Sequence, residues 1–163
     1  MKNRRSVNIT INREVISRYG RDYFKSHPRA KNHPLAKLGA KDKTVGTVFP
    51  PNLNEMTNNP NRFAQNGIKQ NWKDFVMWLC QEYEITNWNL KKAEISYKWV
   101  FPDRRRRDLD NLIMHVKFIN DGLTNAGVWE DDCLGKIQLH LDTNLYVEKD
   151  NPQIIIEIKE IEE

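Results

Sequence analysis

Hydrophobic and polar residues alternate in several short stretches of the chain, and each alternation predicts a β-strand with one buried face. The clearest stretch is 93–101, in which Ile95, Tyr97, Trp99 and Phe101 occupy every second position. Shorter alternating stretches predict four further strands, at 7–11, 45–49, 137–141 and 154–158. The period of two therefore accounts for five short segments of the chain.

Apolar residues recur at intervals of three and four in two longer stretches, which predicts amphipathic helices. The first helix spans about 68–83, with an apolar stripe made of Ile68, Trp72, Phe75, Val76, Leu79 and Tyr83. The second spans 108–126, with Leu109, Leu112, Val116, Ile119 and Leu123 on its stripe and Gly127 as its stop. Residues 12–25 predict a third helix, whereas 87–89 predict a turn and 52–62 a loop.

The order of these elements defines a fold class. After an N-terminal extension, the chain reads strand, helix, strand, helix, strand, strand. The last two strands are joined by a tight turn at 150–152, so we expect an antiparallel pair. The prediction is an α+β fold with a small mixed β-sheet packed against two main helices. We divide the chain into a basic extension, residues 1–43, which packs on or flanks the core, and a folded domain, residues 44–163.

The basic residues are concentrated at the N-terminus. The whole chain has a net charge of +4, but residues 1–43 carry twelve Lys or Arg and three acids, a net charge of +9. Residues 44–149 carry thirteen basic and fourteen acidic side chains and have almost no net charge. The N-terminal excess favours a surface that meets nucleic acid. An ordinary solvated basic surface is the alternative.

Composition excludes some classes of protein. No apolar run approaches the ~20 residues that a membrane span needs, and no apolar signal-peptide core follows the basic N-terminus. The two cysteines, Cys80 and Cys133, form no Cys-x-x-Cys pair, and we expect Cys133 to be buried. This usage suits a reducing compartment, so we expect a cytoplasmic protein without a membrane partner or a small-molecule cofactor.

One segment carries most of the candidate chemistry. Four consecutive arginines lead directly into Asp108 and Asp110 at the predicted start of a helix, and Asp131 and Asp132 follow that helix. Clustered carboxylates repel one another, and a divalent cation such as Mg²⁺ relieves that repulsion. The arginines indicate a polyanion as the second ligand, and they are Arg104, Arg105, Arg106 and Arg107. A cation site beside a phosphate-binding patch is typical of a nuclease.

Each residue also has a simpler explanation. Asp108 is placed to cap the helix, which is worth ~1 kcal/mol, and Asp110 to face its positive end. The arginines form a solvated turn in this interpretation, and Lys117 is a surface lysine. Asp108 and Asp110 can converge only if Asp108 still has extended backbone. The sequence leaves open whether Asp132 returns to the helix start or lies far from it.

Three motifs resemble the RusA family of Holliday junction resolvases, in particular members from Gram-positive bacteria and their phages or prophages. They are DRRRRDLDNL at 103–112, DGLTNAG at 121–127 and WEDD at 129–132. Looser similarity lies in PPNLNE at 50–55 and EKDNPQ at 148–153. The resemblance covers about residues 44–160, and its arginine run joined to Asp-x-Asp-Asn is an uncommon pattern.

The resemblance implies a set of site residues. Asp108, Asp110 and Asp132 match the family's catalytic aspartates, which bind Mg²⁺, for which Mn²⁺ is a substitute; Asp131 and Asn111 match supporting residues. Lys117 is the best match to the family's catalytic lysine. In the best-known enterobacterial member, however, that lysine stands one turn nearer the acids, where this chain has Met114.

The sequence thus predicts a magnesium-dependent endodeoxyribonuclease. The family is known for homodimers that bind four-way DNA junctions and resolve them by paired symmetric nicks, in DNA recombination and repair. Two alternatives remain: a branched-DNA-binding protein without catalytic activity, and a protein–protein adaptor with a chance motif.

Overall fold

A computed structural model describes residues 3–30, 48–58 and 61–162 of the 163-residue chain. Its elements are β1 (Ser6–Ile11), α1 (Arg13–Ser26), α2 (Leu53–Thr57), α3 (Arg62–Glu82), β2 (Ala93–Phe101), α4 (Leu109–Asn125), β3 (Ile137–Val147) and β4 (Gln153–Glu160). Within the described ranges, no helix combines the length and the apolar character that a membrane crossing requires.

The four strands form one mixed sheet in the order β1-β4-β2-β3. β2 runs parallel to β3 and antiparallel to β4, and β4 is antiparallel to β1. The predicted alternation is confirmed in the two central strands, where every second side chain is buried, as in Ile95, Tyr97, Ile154 and Ile156. The predicted fold class, an α+β fold with a mixed sheet, is therefore confirmed.

The expected pairing of the last two strands is wrong. β3 and β4 are consecutive in the chain, but β2 lies between them in the sheet. Burial explains the arrangement, because a central strand must cover one face with apolar side chains and β4 does so with its isoleucines. β3 contributes no fully buried residue, and Leu139 and Leu145 remain about half exposed. This strand therefore occupies the sheet edge.

The helix α4 runs antiparallel to β2 and covers its buried face. The Tyr97 hydroxyl donates a hydrogen bond to Asn120 Oδ1 at 2.5 Å, and the ring of His115 lies beside Trp99. Leu112, Val116, Ile119 and Leu123 are buried, as the helical spacing predicts. Leu109 is instead 59% exposed, because it begins the helix beyond the covered part of the sheet.

The predicted loop at 52–62 contains a short helix, α2, and the start of α3. Asn52 Oδ1 accepts a hydrogen bond from Glu55 N at 2.8 Å, and the Glu55 carboxylate accepts one from Asn52 N at 3.0 Å. This reciprocal capping box stabilises a helix start within the PPNLNE motif. Of the predicted strand at 45–49, residues 45–47 lie outside the described ranges, and Val48 and Phe49 form a bend.

The N-terminal segment contributes directly to the sheet. β1 is the edge strand beside β4, and the Arg5 guanidinium binds both Glu160 carboxylate oxygens, at 3.1 and 2.9 Å. The predicted helix at 12–25 is confirmed as α1. The turn at 87–89 is also confirmed, since Asn87 and Asn89 adopt positive φ values of 59° and 50°. Residues 31–43 of the extension lie outside the described ranges.

We predict that Gly122→Ala destabilises the fold. A Cβ at this position would lie 2.5 Å from Val76 Cβ, where α4 packs against α3. Overpacking of this kind costs about 1–3 kcal/mol, to be measured by urea denaturation. Gly67→Ala is the matched control, because no atom of the described residues lies within 4 Å of its added Cβ. The control should be neutral or stabilising by up to about 1 kcal/mol. Equal effects of the two substitutions would contradict this account of the helix contact.

Candidate active site

The turn before α4 is organised by Asp103. Its carboxylate accepts hydrogen bonds from the Arg105 backbone N–H and guanidinium at 2.7–3.0 Å, and from Arg107 Nη2 at 2.7 Å. These bonds, from Arg105 above all, hold the pKa of Asp103 well below its usual range. Arg107 also donates to two backbone carbonyls of the turn and lies 4.1 Å over the Phe101 ring. Two of the four arginines thus build the turn.

The other two arginines face solvent. The Arg106 side chain is 92% exposed, with Nε 3.4 Å from Asp108 Oδ1, and Arg104 is exposed as well. An exposed guanidinium keeps its donors available for a phosphate group. The sequence predicted that all four arginines bind DNA. Arg105 and Arg107 are paired with Asp103, but the Arg105 side chain is still 81% exposed, so the DNA-binding role of all four stays a prediction. Asp103 was not among the site residues predicted from the sequence. Its position, two residues before Arg105 and four before Arg107, was the available signal.

Asp108 and Asp110 both lie at the start of α4. Asp108 is the N-cap residue and has extended backbone, with φ −87° and ψ 146°, which is the condition under which the two acids can converge. Its side chain makes no capping hydrogen bond to the described helix and remains 67% exposed. Asp110 is exposed in the first turn, and Asn111 beside it is half-buried. Capping therefore does not explain the carboxylate of Asp108.

Asp131 and Asp132 lie at the opposite end of α4. The backbone of Glu130 bonds to Leu90 just before β2 begins, and Lys136 bonds to Ala93 at its first residue. The two acids between these anchors are exposed, as is Cys133, which we expected to be buried. The Cys133 thiol donates a hydrogen bond to Asp131, which raises the pKa of the thiol. Residues 130–135 of this loop are all exposed, so Cys133 has no core to pack into.

The three aspartates of the predicted metal site are therefore not brought together within one chain. Fifteen residues of α4 follow Asp110, so the helix separates Asp110 from the loop of Asp132 by about 22 Å at 1.5 Å per residue. Among the described residues, no group of three or more His, Cys, Asp or Glu side chains is placed to hold a metal ion. Asp108 and Asp110 remain as a pair of oxygen donors. Their catalytic roles stay predictions.

Lys117 lies on the exposed side of α4. Its Nζ is 3.5 Å from Asp121 Oδ2, one turn further along the helix and away from Asp110. Met114, at the position of the enterobacterial lysine, is half-buried and packs against the core. In this conformation, the ammonium group of Lys117 is paired away from the start of α4. Its catalytic role also stays a prediction.

A large cavity, which the sequence did not indicate, lies beside the start of α4. It has a volume of about 1200 Å³, and its lining includes Arg106, Asn111 and His115 as well as three aromatic side chains, Phe49, Trp72 and Phe101. His115 is only 5% exposed and stacks on Phe49 with ring centroids 5.8 Å apart. Burial lowers the pKa of His115 to about 4, partly offset by a hydrogen bond to the backbone of Pro50.

We predict that His115 makes stability depend on pH. In the unfolded chain the imidazole takes up a proton near its ordinary pKa of 6.5, whereas in the folded chain it stays neutral down to about pH 4. Because the unfolded state binds more protons, the free energy of unfolding should fall between pH 7 and pH 5 by about 2 kcal/mol. Urea denaturation should show this loss, and His115→Gln should remove it. The same pH slope in both proteins would exclude His115 as its source.

The start of α4 therefore combines exposed carboxylates with exposed guanidinium groups. The family model described as endodeoxyribonuclease RusA matches residues 48–159, more than half of the chain. The chain therefore belongs to the RusA endodeoxyribonuclease family.

Curated relatives agree with this assignment. The chain is 32% identical over 91 residues to proteins named crossover junction endodeoxyribonuclease RusA from Escherichia coli K12 and Shigella sonnei Ss046. The same identity is found with the protein of that name from E. coli O1:K1. Each alignment covers 55% of this chain and 73% of the relative.

Proposed function

We propose that this protein is a magnesium-dependent endodeoxyribonuclease that resolves four-way DNA junctions by paired symmetric nicks during recombination and repair. Family membership and the names of the relatives support the reaction class and the substrate. The observation that carries the site is the exposed pair Asp108 and Asp110. Asp108 occupies a helix N-cap without capping the described helix, which leaves its carboxylate available.

Asp108 and Asp110 would be the ligands of Mg²⁺ at this position. The ion usually binds through one or two carboxylates plus water and substrate phosphate, so this pair suits it even without a third protein ligand. Bound there, Mg²⁺ supplies Lewis acidity and a water molecule of lowered pKa. Asn111, one residue further, supports the position of the acids.

The cationic side chains hold and stabilise the phosphate groups. Arg104 and Arg106 bind the DNA backbone beside the two carboxylates, while Arg105 and Arg107 keep the turn in shape. Lys117 leaves its exposed pair with Asp121 and stabilises negative charge at the scissile phosphate. An exposed pair of this kind is worth less than about 1 kcal/mol, so its loss is a small cost.

A homodimer is part of the proposal, because two symmetric nicks need two sites. It also accounts for the distance between Asp132 and the start of α4. Exposed apolar side chains lie beside both pairs of acids. Leu109 and Ile113 at the start of α4 are 59% and 56% exposed, and Leu134 in the loop of Asp131 and Asp132 is 99% exposed. A partner copy that packs its Leu134 loop on this helix start brings Asp131 and Asp132 to the other two aspartates.

We predict that Asp110→Asn abolishes Mg²⁺-dependent nicking of a synthetic four-way junction. Removal of a metal-binding carboxylate should lower the rate by more than about 100-fold, while junction affinity in EDTA stays unchanged. Gel assays of nicking and of binding measure the two effects. Asp74→Asn on α3 is the matched control and should nick at the wild-type rate. Retained cleavage by Asp110→Asn would overturn the site assignment.

A mixing experiment tests whether the aspartates come from two protomers. Asp110→Asn and Asp132→Asn should each be inactive, but their heterodimer regains one intact site if Asp132 acts in the partner's site. An equal mixture should then recover about one quarter of wild-type nicking. Sites formed within one chain would give no recovery, because each protomer of the heterodimer then carries a damaged site.

The second candidate function is a branched-DNA-binding protein without catalysis. The specific observation in its favour is that the described residues contain no three-ligand metal group. In that case the wild-type protein binds four-way junctions, but Mg²⁺ and Mn²⁺ yield no product on any branched DNA.

A further inference from the structure

The helix α1 lies outside the region that the family model matches. That region begins at residue 48, whereas α1 spans Arg13–Ser26. Its inner face is fixed to the core by Tyr19, which is buried and packs against Phe75 and Trp78 at 5.1 and 5.3 Å between ring centroids. The side chains on the opposite face of α1 are therefore held in a defined position on the surface.

That outer face carries cations. At about 100° per residue, Arg18, Arg21 and Lys25 fall within about 60° of one another and point away from Tyr19. All three are exposed, as is Arg29 in the turn that follows the helix. The N-terminal positive charge is therefore gathered partly on one side of a fixed helix.

Neighbouring groups account for Arg18. Its Nη2 lies 3.7 Å from Glu82 Oε2 on α3, and its guanidinium lies 5.4 Å from the centroid of the Trp78 ring. Glu14 precedes Arg18 by one turn of α1. The remaining acid of α1, Asp22, is engaged elsewhere, because it accepts a hydrogen bond from Trp78 Nε1 at 3.2 Å. Arg18 thus has a structural role in joining α1 to α3.

The other three cations have no such role. Within the described ranges, no acid forms a salt bridge with Arg21, Lys25 or Arg29. Arg21 and Lys25 are four residues apart, a spacing at which like charges destabilise a helix. The helix dipole favours Lys25 in the last turn, but it does not favour Arg21 in the middle. A polyanion that binds this surface would relieve the repulsion.

The start of α1 lies close to the proposed cleavage site. Arg13, its first residue, lines the same cavity as three arginines of the turn before α4. Arg21 and Lys25 follow Arg13 by about 12 and 18 Å along the helix, at 1.5 Å per residue. These distances equal the rise of about four to five base pairs at ~3.4 Å each. A duplex arm that leaves the cleavage site along α1 would therefore meet both cations.

We propose that Arg21, Lys25 and Arg29 bind the phosphate backbone of a duplex DNA arm several base pairs from the cut. The inference rests on the proposed function for its ligand and adds a binding surface outside the matched family region. Arg21 and Lys25 lie about 6 Å apart along the helix, which is close to the rise over two phosphates of one strand at ~3.4 Å each. Contacts of this kind add salt-dependent affinity and read no sequence.

The salt dependence of junction binding tests these contacts. The affinity of the full chain for a synthetic four-way junction is measured in EDTA at about 50 to 200 mM salt. Arg21→Gln combined with Lys25→Gln should reduce the slope of log K against log salt by about 1.8, since each lost phosphate contact removes ~0.9. Binding at about 100 mM salt should weaken by at least about 10-fold. Arg21→Lys combined with Lys25→Arg keeps both charges and should retain the wild-type slope.

The matched control removes two lysines from the sheet face that points away from α4. Lys98 alternates with Tyr97, which faces α4, and Lys159 pairs with Glu94 on the same outer face as Lys98. Lys98→Gln combined with Lys159→Gln loses the same charge and should keep the wild-type slope. An equal reduction in the control, or a wild-type slope in the α1 variant, would overturn the surface. Unchanged DNA binding with lost binding to phosphatidylglycerol vesicles would assign the surface to lipid and also overturn the proposal.

Nicking in Mg²⁺ is measured separately with the same junctions. A wild-type protein whose binding depends on the α1 cations but which never nicks would contradict the proposed nuclease and leave the binding surface in place. A protein that nicks while the α1 variant keeps the wild-type slope would contradict the binding surface alone. The inference and the proposed function therefore fail by different results.

Discussion

The antiparallel packing of α4 on β2 determines where the charged groups of this protein lie. The hydrogen bond between Tyr97 and Asn120 and the close approach of Gly122 to Val76 fix the helix against the sheet and against α3. The end of β2 therefore delivers the arginine turn to one end of α4, and the return of the chain leaves the second pair of acids at the other. Within one chain of this fold, these acids lie too far apart to bind a single metal ion together. The proposed metal site therefore needs the proposed dimer.

Electrostatics within the arginine turn limit its capacity to bind a polyanion. Asp103 accepts hydrogen bonds from the guanidinium groups of Arg105 and Arg107, and the Phe101 ring covers Arg107. Arg104 and Arg106 take no part in this pairing and are exposed, although Arg106 Nε lies 3.4 Å from Asp108 Oδ1. The same pairing has a benefit, because it holds the turn in one shape directly before Asp108. Part of the positive charge in the motif thus positions the site, and the rest faces the substrate.

The burial of His115 beside the cavity lowers the stability of the fold. His115 Nδ1 is buried without a hydrogen-bond partner in the described part of the chain, and a buried nitrogen that loses its hydrogen bond to water destabilises the fold. An apolar residue at this position would pack between Phe49 and Trp99 without that cost. The helical spacing of the sequence gave no sign of the cavity beside His115.

The sequence by itself determined the local structure, because strand and helix periods depend on neighbours only two to four residues apart. It located β2, α3, α4 and the Asn87 turn, and it singled out the charged segment before α4. The capping box of α2 is also a local feature, since Asn52 and Glu55 have the required spacing, but the sequence predicted a loop there. Only the tertiary structure decided that β2 separates β3 from β4, that Asp103 binds two arginines, and that Asp132 lies a helix length from Asp110. These outcomes depend on which surfaces are buried together, a competition among distant segments that no local pattern records.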